Sequence, residues 1–163
     1  MAPTSIEEDL LKPRIYRNLG GEVKSNEEKS ILIVDDIPLM RIMLAKYVRT
    51  LGLKILREEL SILGIEIFEA SNGVEALECL KNYSIDLVFL DLMMPEMDGI
   101  TFLQHKKENP TLSSIPVIAC SALGERDTVE KATALGASSY IVKPFTLKSV
   151  EEKFRAALTI MQP

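Results

Sequence analysis

Four polar signals in this chain each follow a short apolar run. Asp35-Asp36 comes after Ile31 to Val34, Asp91 after Ile85 to Leu90, Ser121 after Pro116 to Cys120, and Lys143-Pro144 after Ser139 to Val142. Three carboxylates, a hydroxyl and an ammonium suit chemistry on a phosphoryl group, provided that they meet. Crowded carboxylates repel, since two unit charges 4 Å apart cost about 4 kcal/mol at an effective dielectric near 20. A cation relieves that repulsion. Oxygen donors without His or Cys favour a hard ion, and Mg²⁺ retaining several waters is the usual choice beside phosphate. An ammonium opposite a carboxylate lowers its pKa and keeps it ionised as a nucleophile. Asp91 is the candidate nucleophile, Ser121 can offer its hydroxyl to a transferred phosphoryl oxygen, and Mg²⁺ with Lys143 stabilises transition-state charge. Each signal alone is weak, because solvated loop carboxylates and Lys-Pro pairs are common. Their shared placement, each ending a separate apolar run, makes the set specific.

Something must bring these distant stretches together. Ile31 to Val34, Ile65 to Phe68, Ile85 to Leu90, Pro116 to Cys120 and Ser139 to Val142 read as five strands, several of them apolar at consecutive positions. Such strands need a cover on both faces, as in a parallel sheet flanked by helices. Helical patterns begin at Pro38 and cover Gly73 to Lys81, Gly99 to Lys107, Thr128 to Leu135 and Leu147 to Ile160, with Asp98 and Asp127 as expected caps and Gly136 as a stop. Five βα units in series predict an α/β, doubly wound parallel sheet with ligands beyond the carboxyl ends of its strands.

Composition narrows the chemistry. The 163 residues are 47% apolar and 26% charged, enough for one ordinary globular domain. A single histidine, His105, leaves His-rich metal sites and His-based triads without their parts. The net charge of -5 offers no footprint for nucleic acid. No apolar run reaches the roughly 18 residues of a membrane span, and Glu7, Glu8 and Asp9 stand where a secretory signal would be basic and apolar. The expectation is a cytoplasmic chain without membrane or nucleic-acid partners. Cys79 and Cys120 lie among apolar neighbours and read as free packed thiols. Residues 1–29, rich in charge and turn formers, read as a mobile extension, and 30–163 as the domain.

The chain resembles the receiver domain of two-component response regulators. The resemblance rests on Ile31-Leu-Ile-Val-Asp-Asp36, Asp91-Leu-Met-Met-Pro-Glu-Met-Asp-Gly99, Ser121-Ala122 and Gly136-Ala-Ser-Ser-Tyr-Ile-Val-Lys-Pro-Phe145. It implies a flavodoxin-like strand order of 2-1-3-4-5 and an Asp91 that accepts phosphate from a phosphohistidine on a histidine kinase or histidine phosphotransfer protein. It also implies Mg²⁺ bound by Asp36, Asp91 and the backbone carbonyl of Met93, with Asp35 assisting through water, and a cis peptide at Lys143-Pro144. Ser121 and Tyr140 would move together, remodelling the face formed by the fourth helix, fifth strand and fifth helix for a downstream protein target. Met93 and Leu123 would flank the path of an attacking water; both are apolar, so slow hydrolysis of the aspartyl phosphate is expected.

One region departs from the pattern. Pro38 to Leu63 is too long for the usual first helix, and as a single helix it would span about 39 Å. Leu51-Gly52 and Leu63-Gly64 look like two copies of one helix-ending signal, so 52–63 reads as an inserted or extended segment after helix one. Met40, Leu44, Tyr47, Val48 and Leu51 form one apolar stripe, while Leu53, Leu56, Leu60 and Leu63 form another, roughly 150° away on a continuous helix. Exposing those leucines is unfavourable, which predicts self-association through Leu53, Leu56, Leu60 and Leu63 as a homodimer. Cover by the N-terminal segment is one alternative; a break at Gly52 that folds the segment back is another.

The leading expectation is a stand-alone signalling switch without substrate turnover, because no output module follows before Pro163. A phosphorelay intermediate and a receiver-fold dimerisation scaffold with a vestigial acidic site are the rivals. A metal-dependent phosphatase would need a second aspartate where Asp35-Asp36-Ile37 has isoleucine, and a flavin site would need N–H and hydroxyl donors where Asp35-Asp36 stand.

Overall fold

Consecutive apolar residues in a strand point alternately to the two faces of a sheet, so both faces must be covered. The computed structural model, which describes residues 28–59, 64–122 and 125–161, arranges the chain in this way. Its strands are β1 (Glu28–Val34), β2 (Gly64–Ala70), β3 (Leu87–Asp91), β4 (Val117–Ser121) and β5 (Ser139–Val142). The long helices are α1 (Pro38–Glu59), α2 (Gly73–Asn82), α3 (Gly99–Glu108), α4 (Arg126–Ala134) and α5 (Leu147–Ile160), with a single helical turn at Pro110–Ser113. All strand pairs are parallel, in the order β2-β1-β3-β4-β5. β1 begins at Glu28, two residues before the expected domain start.

The two faces divide the strand residues between them. Leu32 and Val34 of β1, Val88 and Leu90 of β3, and Val117 and Ala119 of β4 pack with Ala76, Leu80, Phe102 and Ala132 of α2, α3 and α4. Their neighbours Ile31, Ile33, Leu87, Phe89 and Ile118 turn the other way, onto Leu44, Val48 and Ile55 of α1 and Val150 and Phe154 of α5. A sheet wedged between two such layers has little freedom to slip register, since a one-residue shift exchanges both faces. Asp98 caps α3 through the Thr101 N–H at 2.8 Å. Asp127 does not cap α4: the cap position belongs to Glu125, and Asp127 lies in the first turn, where its charge favours the helix N-terminus.

α1 decides against the alternative of a break at Gly52. It runs unbroken for 22 residues, about 33 Å. Its buried positions continue from Leu44, Val48 and Leu51 to Ile55, a 4-3-4 spacing that keeps one face on the sheet. Gly52 is a close-approach position instead of a stop, for a Cβ there would collide with the Ile65 Cδ1 of β2. Leu53 faces the other way, 59% exposed, and Lys54 is tied to Glu151 of α5 at 2.7 Å. Leu60 and Leu63, like nearly all of the N-terminal extension, lie outside the described residues, as does the side chain of Leu56. No described helix is long and apolar enough to cross a membrane.

Candidate functional site

Parallel strands end at one edge of the sheet, and the polar signals of the sequence gather there. β1 runs into Asp35 and Asp36, β3 ends on Asp91, β4 ends on Ser121, and β5 runs into Lys143. Register fixes the neighbours: Asp91 stands beside Cys120, and Ser121 beside Val142. The Lys143 N–H donates to the Ser121 carbonyl at 2.7 Å, carrying the sheet bonding one step past β5. The Lys143-Pro144 peptide bond is cis.

Lys143 closes the site from the β5 side. Its Nζ lies 2.7 Å from Asp35 Oδ2 and 3.2 Å from Asp91 Oδ2, so one ammonium bridges two buried carboxylates. The remaining oxygens are also held: Ile37 N–H donates to Asp35 Oδ1 at 2.9 Å, and Met93 N–H to Asp91 Oδ1 at 3.2 Å. Asp36 is half-buried beside them. Oxygens of Asp35, Asp36 and Asp91 all lie within 4.8 Å of one another.

The charges are out of balance. Three carboxylates face one lysine, and Asp91 is only 4% exposed. Burial pushes the Asp91 carboxyl up to about 6, and the Asp35 charge adds to this; Lys143 and the Met93 N–H only partly offset both. Lys143 shifts upward in turn, because although burial disfavours its charge, its bonds to Asp35 and Asp91 prevail. A deficit of positive charge amid converging carboxylate oxygens, without nitrogen or sulfur donors, suits a hard divalent cation such as Mg²⁺. The residues present therefore fit that ion.

Ser121 and Tyr140 share a second feature. Ser121 is buried at the end of β4, while Tyr140 on β5 is half exposed. Both line a groove of about 450 Å³ between α4 and β5, with Val129, Thr133 and Val142. Met93 is well exposed on the loop after β3. Leu123, the other apolar residue expected near the site, lies outside the described residues.

Two residues at this edge escape a reading by motif. Arg41, on the first turns of α1, donates from Nε to Glu69 Oε2 of β2 at 3.1 Å and from Nη1 to the Asp35 main-chain carbonyl at 2.7 Å. Glu69 stands between Phe68 and Ala70 in the buried half of β2, and a carboxylate between apolar neighbours is the signal that could have drawn attention to it.

Comparison with known proteins identifies the family to which this fold belongs. The family described as response regulator receiver domain matches residues 31–155. The chemotaxis protein CheY of Bacillus subtilis is 39% identical over 128 residues, covering 78% of this chain and 96% of its own. A probable transcriptional regulator of Porphyra purpurea, ycf27, is 36% identical over 133 residues, covering 82% of this chain and 49% of its own; the chain spans about half the length of such relatives. Among solved structures, the signal receiver domain of a DNA-binding response regulator from Colwellia psychrerythraea superposes with a TM-score of 0.68 at 29% identity, over 80% of this chain and 98% of that one.

Proposed function

The chain belongs to the response regulator receiver domain family, and from that premise we propose that it is a phosphorylation-activated switch whose Asp91 takes a phosphoryl group from a phosphohistidine. Receiver domains serve two-component signalling as switches and are not turnover enzymes. The observation that carries the finer reading is the buried Asp91 carboxylate, held by Lys143 and the Met93 N–H beside two further aspartates. In the transfer, an Asp91 oxygen attacks phosphorus, a P–O bond forms, the P–N bond to the donor histidine breaks, and the imidazole leaves. Lys143 stays opposite Asp91 and stabilises negative charge on the phosphoryl oxygens, while the Ser121 hydroxyl donates to one of them.

Asp36, Asp91 and the Met93 carbonyl would hold Mg²⁺, with Asp35 assisting through water. When bound, the ion supplies the positive charge that Lys143 alone does not. The donor would be a histidine kinase or histidine phosphotransfer protein, and the output a changed affinity for a protein target at the α4–β5 groove. The phosphate is read there or relayed onward. A cytoplasmic location belongs to the same reading, as does the absence of nucleic-acid contacts, which the net charge of -5 supports.

A small phosphodonor with Mg²⁺ should add one phosphoryl group to the protein by mass, and none to Asp91→Asn. Labelling of Asp91→Asn to the same extent defeats the assignment. With only Met93 described at the water path, and apolar, the aspartyl phosphate should outlast a timescale of seconds. Self-association forms a second reading, favoured by Leu39, Ile42 and Leu53 standing exposed on α1. Sedimentation at high micromolar concentration tests it, a monomer being the result against it.

A further inference from the structure

Asp36 is the odd member of the acidic trio. The carboxylates of Asp35 and Asp91 are each held by Lys143 and by a backbone N–H, from Ile37 and Met93 respectively. Among the described residues no hydrogen bond or ion pair holds the Asp36 carboxylate, so its position follows from its own backbone. That backbone is anchored from one side chain. The Asp35 carbonyl belongs to the peptide that joins Asp35 to Asp36, and it accepts the 2.7 Å bond from Arg41 Nη1. On the other side of the same residue, the Asp35 N–H donates to the Ala70 carbonyl of β2 at 3.2 Å.

Arg41 is itself clamped. Its Nε meets Glu69 Oε2 at 3.1 Å, and Glu69 is 7% exposed on β2. The guanidinium therefore ties the start of α1, the end of β1 and β2 together at the residue that precedes Asp36. Its planar fork serves both acceptors at once, which one ammonium on a flexible stem does less well. The Arg41–Glu69 pair brings no net charge to the acidic site, so its influence on a cation is through position.

We propose that Arg41, oriented by Glu69, is a positioning residue that holds the Asp35–Asp36 peptide and thereby keeps the Asp36 carboxylate in place for the divalent cation. This rests on the cation reading given above. Residues that orient metal ligands without touching the metal typically cost 10–100-fold in metal affinity when altered. Because Glu69 acts through Arg41, its effect is carried by the guanidinium and not added to it.

The test uses the full chain with Mg²⁺ alone, titrated calorimetrically into wild type, Arg41→Lys, Glu69→Gln and the double variant. Backbone amide resonances are recorded without the ion, and urea melts confirm folding. The two near-isosteric changes guard against the collapse that truncation of a buried pair could cause. Arg41→Lys should weaken Mg²⁺ binding about 10-fold or more. It should shift the Asp36 and Ile37 amides and leave that of Met93 in place, and adding Glu69→Gln should change little further. Wild-type Mg²⁺ affinity in folded Arg41→Lys would reduce the pair to a structural brace and overturn the proposal. If wild type itself takes up no Mg²⁺, the cation reading fails and the proposal falls with it, whereas uptake by wild type that folded Arg41→Lys retains in full overturns the proposal alone.

Discussion

The carboxyl edge of the sheet and the outer face of α1 break the usual rule of burial in opposite directions. At the edge, Asp35 and Asp91 are charged groups buried in the fold; along α1, Leu39, Ile42 and Leu53 are apolar groups left in solvent. The first arrangement persists because every buried oxygen has a donor, and Lys143 serves two carboxylates at once. The second persists because a helix has one face for the core. Once Leu44, Val48, Leu51 and Ile55 occupy that face, Leu53 must point away. Misplaced polarity thus differs between the two regions: at the edge each buried oxygen is bonded within the fold, and along α1 the exposed side chains are left over once the core face is filled.

The largest expected effect tests the first half of that contrast. Asp91→Asn should abolish phosphoryl uptake from a small phosphodonor, and Lys143→Met should reduce it by orders of magnitude while far-UV circular dichroism stays unchanged. A Lys143→Met protein labelled at the wild-type rate would mean that the bridging ammonium has no part in the transfer.

The next effect tests whether α1 is bound to the core as its length suggests. Ile55→Ala should cost about 2–4 kcal/mol in urea unfolding, because Ile55 is fully buried. Leu53→Ala, two residues away, should stay within about 0.5 kcal/mol. Equal effects at the two positions would erase the distinction between the faces of the helix.

A smaller effect of opposite sign belongs to the acidic edge. In Mg²⁺-free buffer near pH 7, Asp91→Asn should stabilise the fold by about 1 kcal/mol, since burial and Asp35 hold the Asp91 carboxyl up at about 6 and its charge is costly there. Part of that gain is lost with the Lys143 bond. A urea midpoint that falls in the variant would show that Lys143 more than offsets both the burial of Asp91 and the Asp35 charge. Last, Leu53→Glu should leave the unfolding midpoint in place and lower the sedimentation coefficient at high micromolar concentration if the exposed face joins two copies.

Much of the fold follows from patterns of types along the chain. Runs such as Leu87 to Leu90, apolar at every position, require two covering layers, and the strand order β2-β1-β3-β4-β5 is the one the family resemblance implies. The acidic signals were legible for a related reason: a charged residue ending an apolar run is out of place unless something meets it. Gly52 shows where such reading stops. A glycine after a leucine resembles a helix end, yet here it lets α1 approach Ile65 of β2, a contact between segments that no local window contains. Ile55 is hidden from a local reading for the same reason, since Leu53 and Leu56 beside it form the more regular stripe. Arg41 and Glu69 are ordinary residues in an ordinary helix and strand until β1 and β2 lie side by side.

Sequence alone determined the number of strands, the layers over them and the polar residues that end them, because side-chain periodicity and residue type are local properties of the chain. Only the tertiary structure decided that α1 runs on past Gly52, that one lysine spans two aspartates, and that Arg41 reaches the Asp35 carbonyl. Those outcomes depend on distances between residues far apart in the chain, and it is the packing of whole elements that sets such distances.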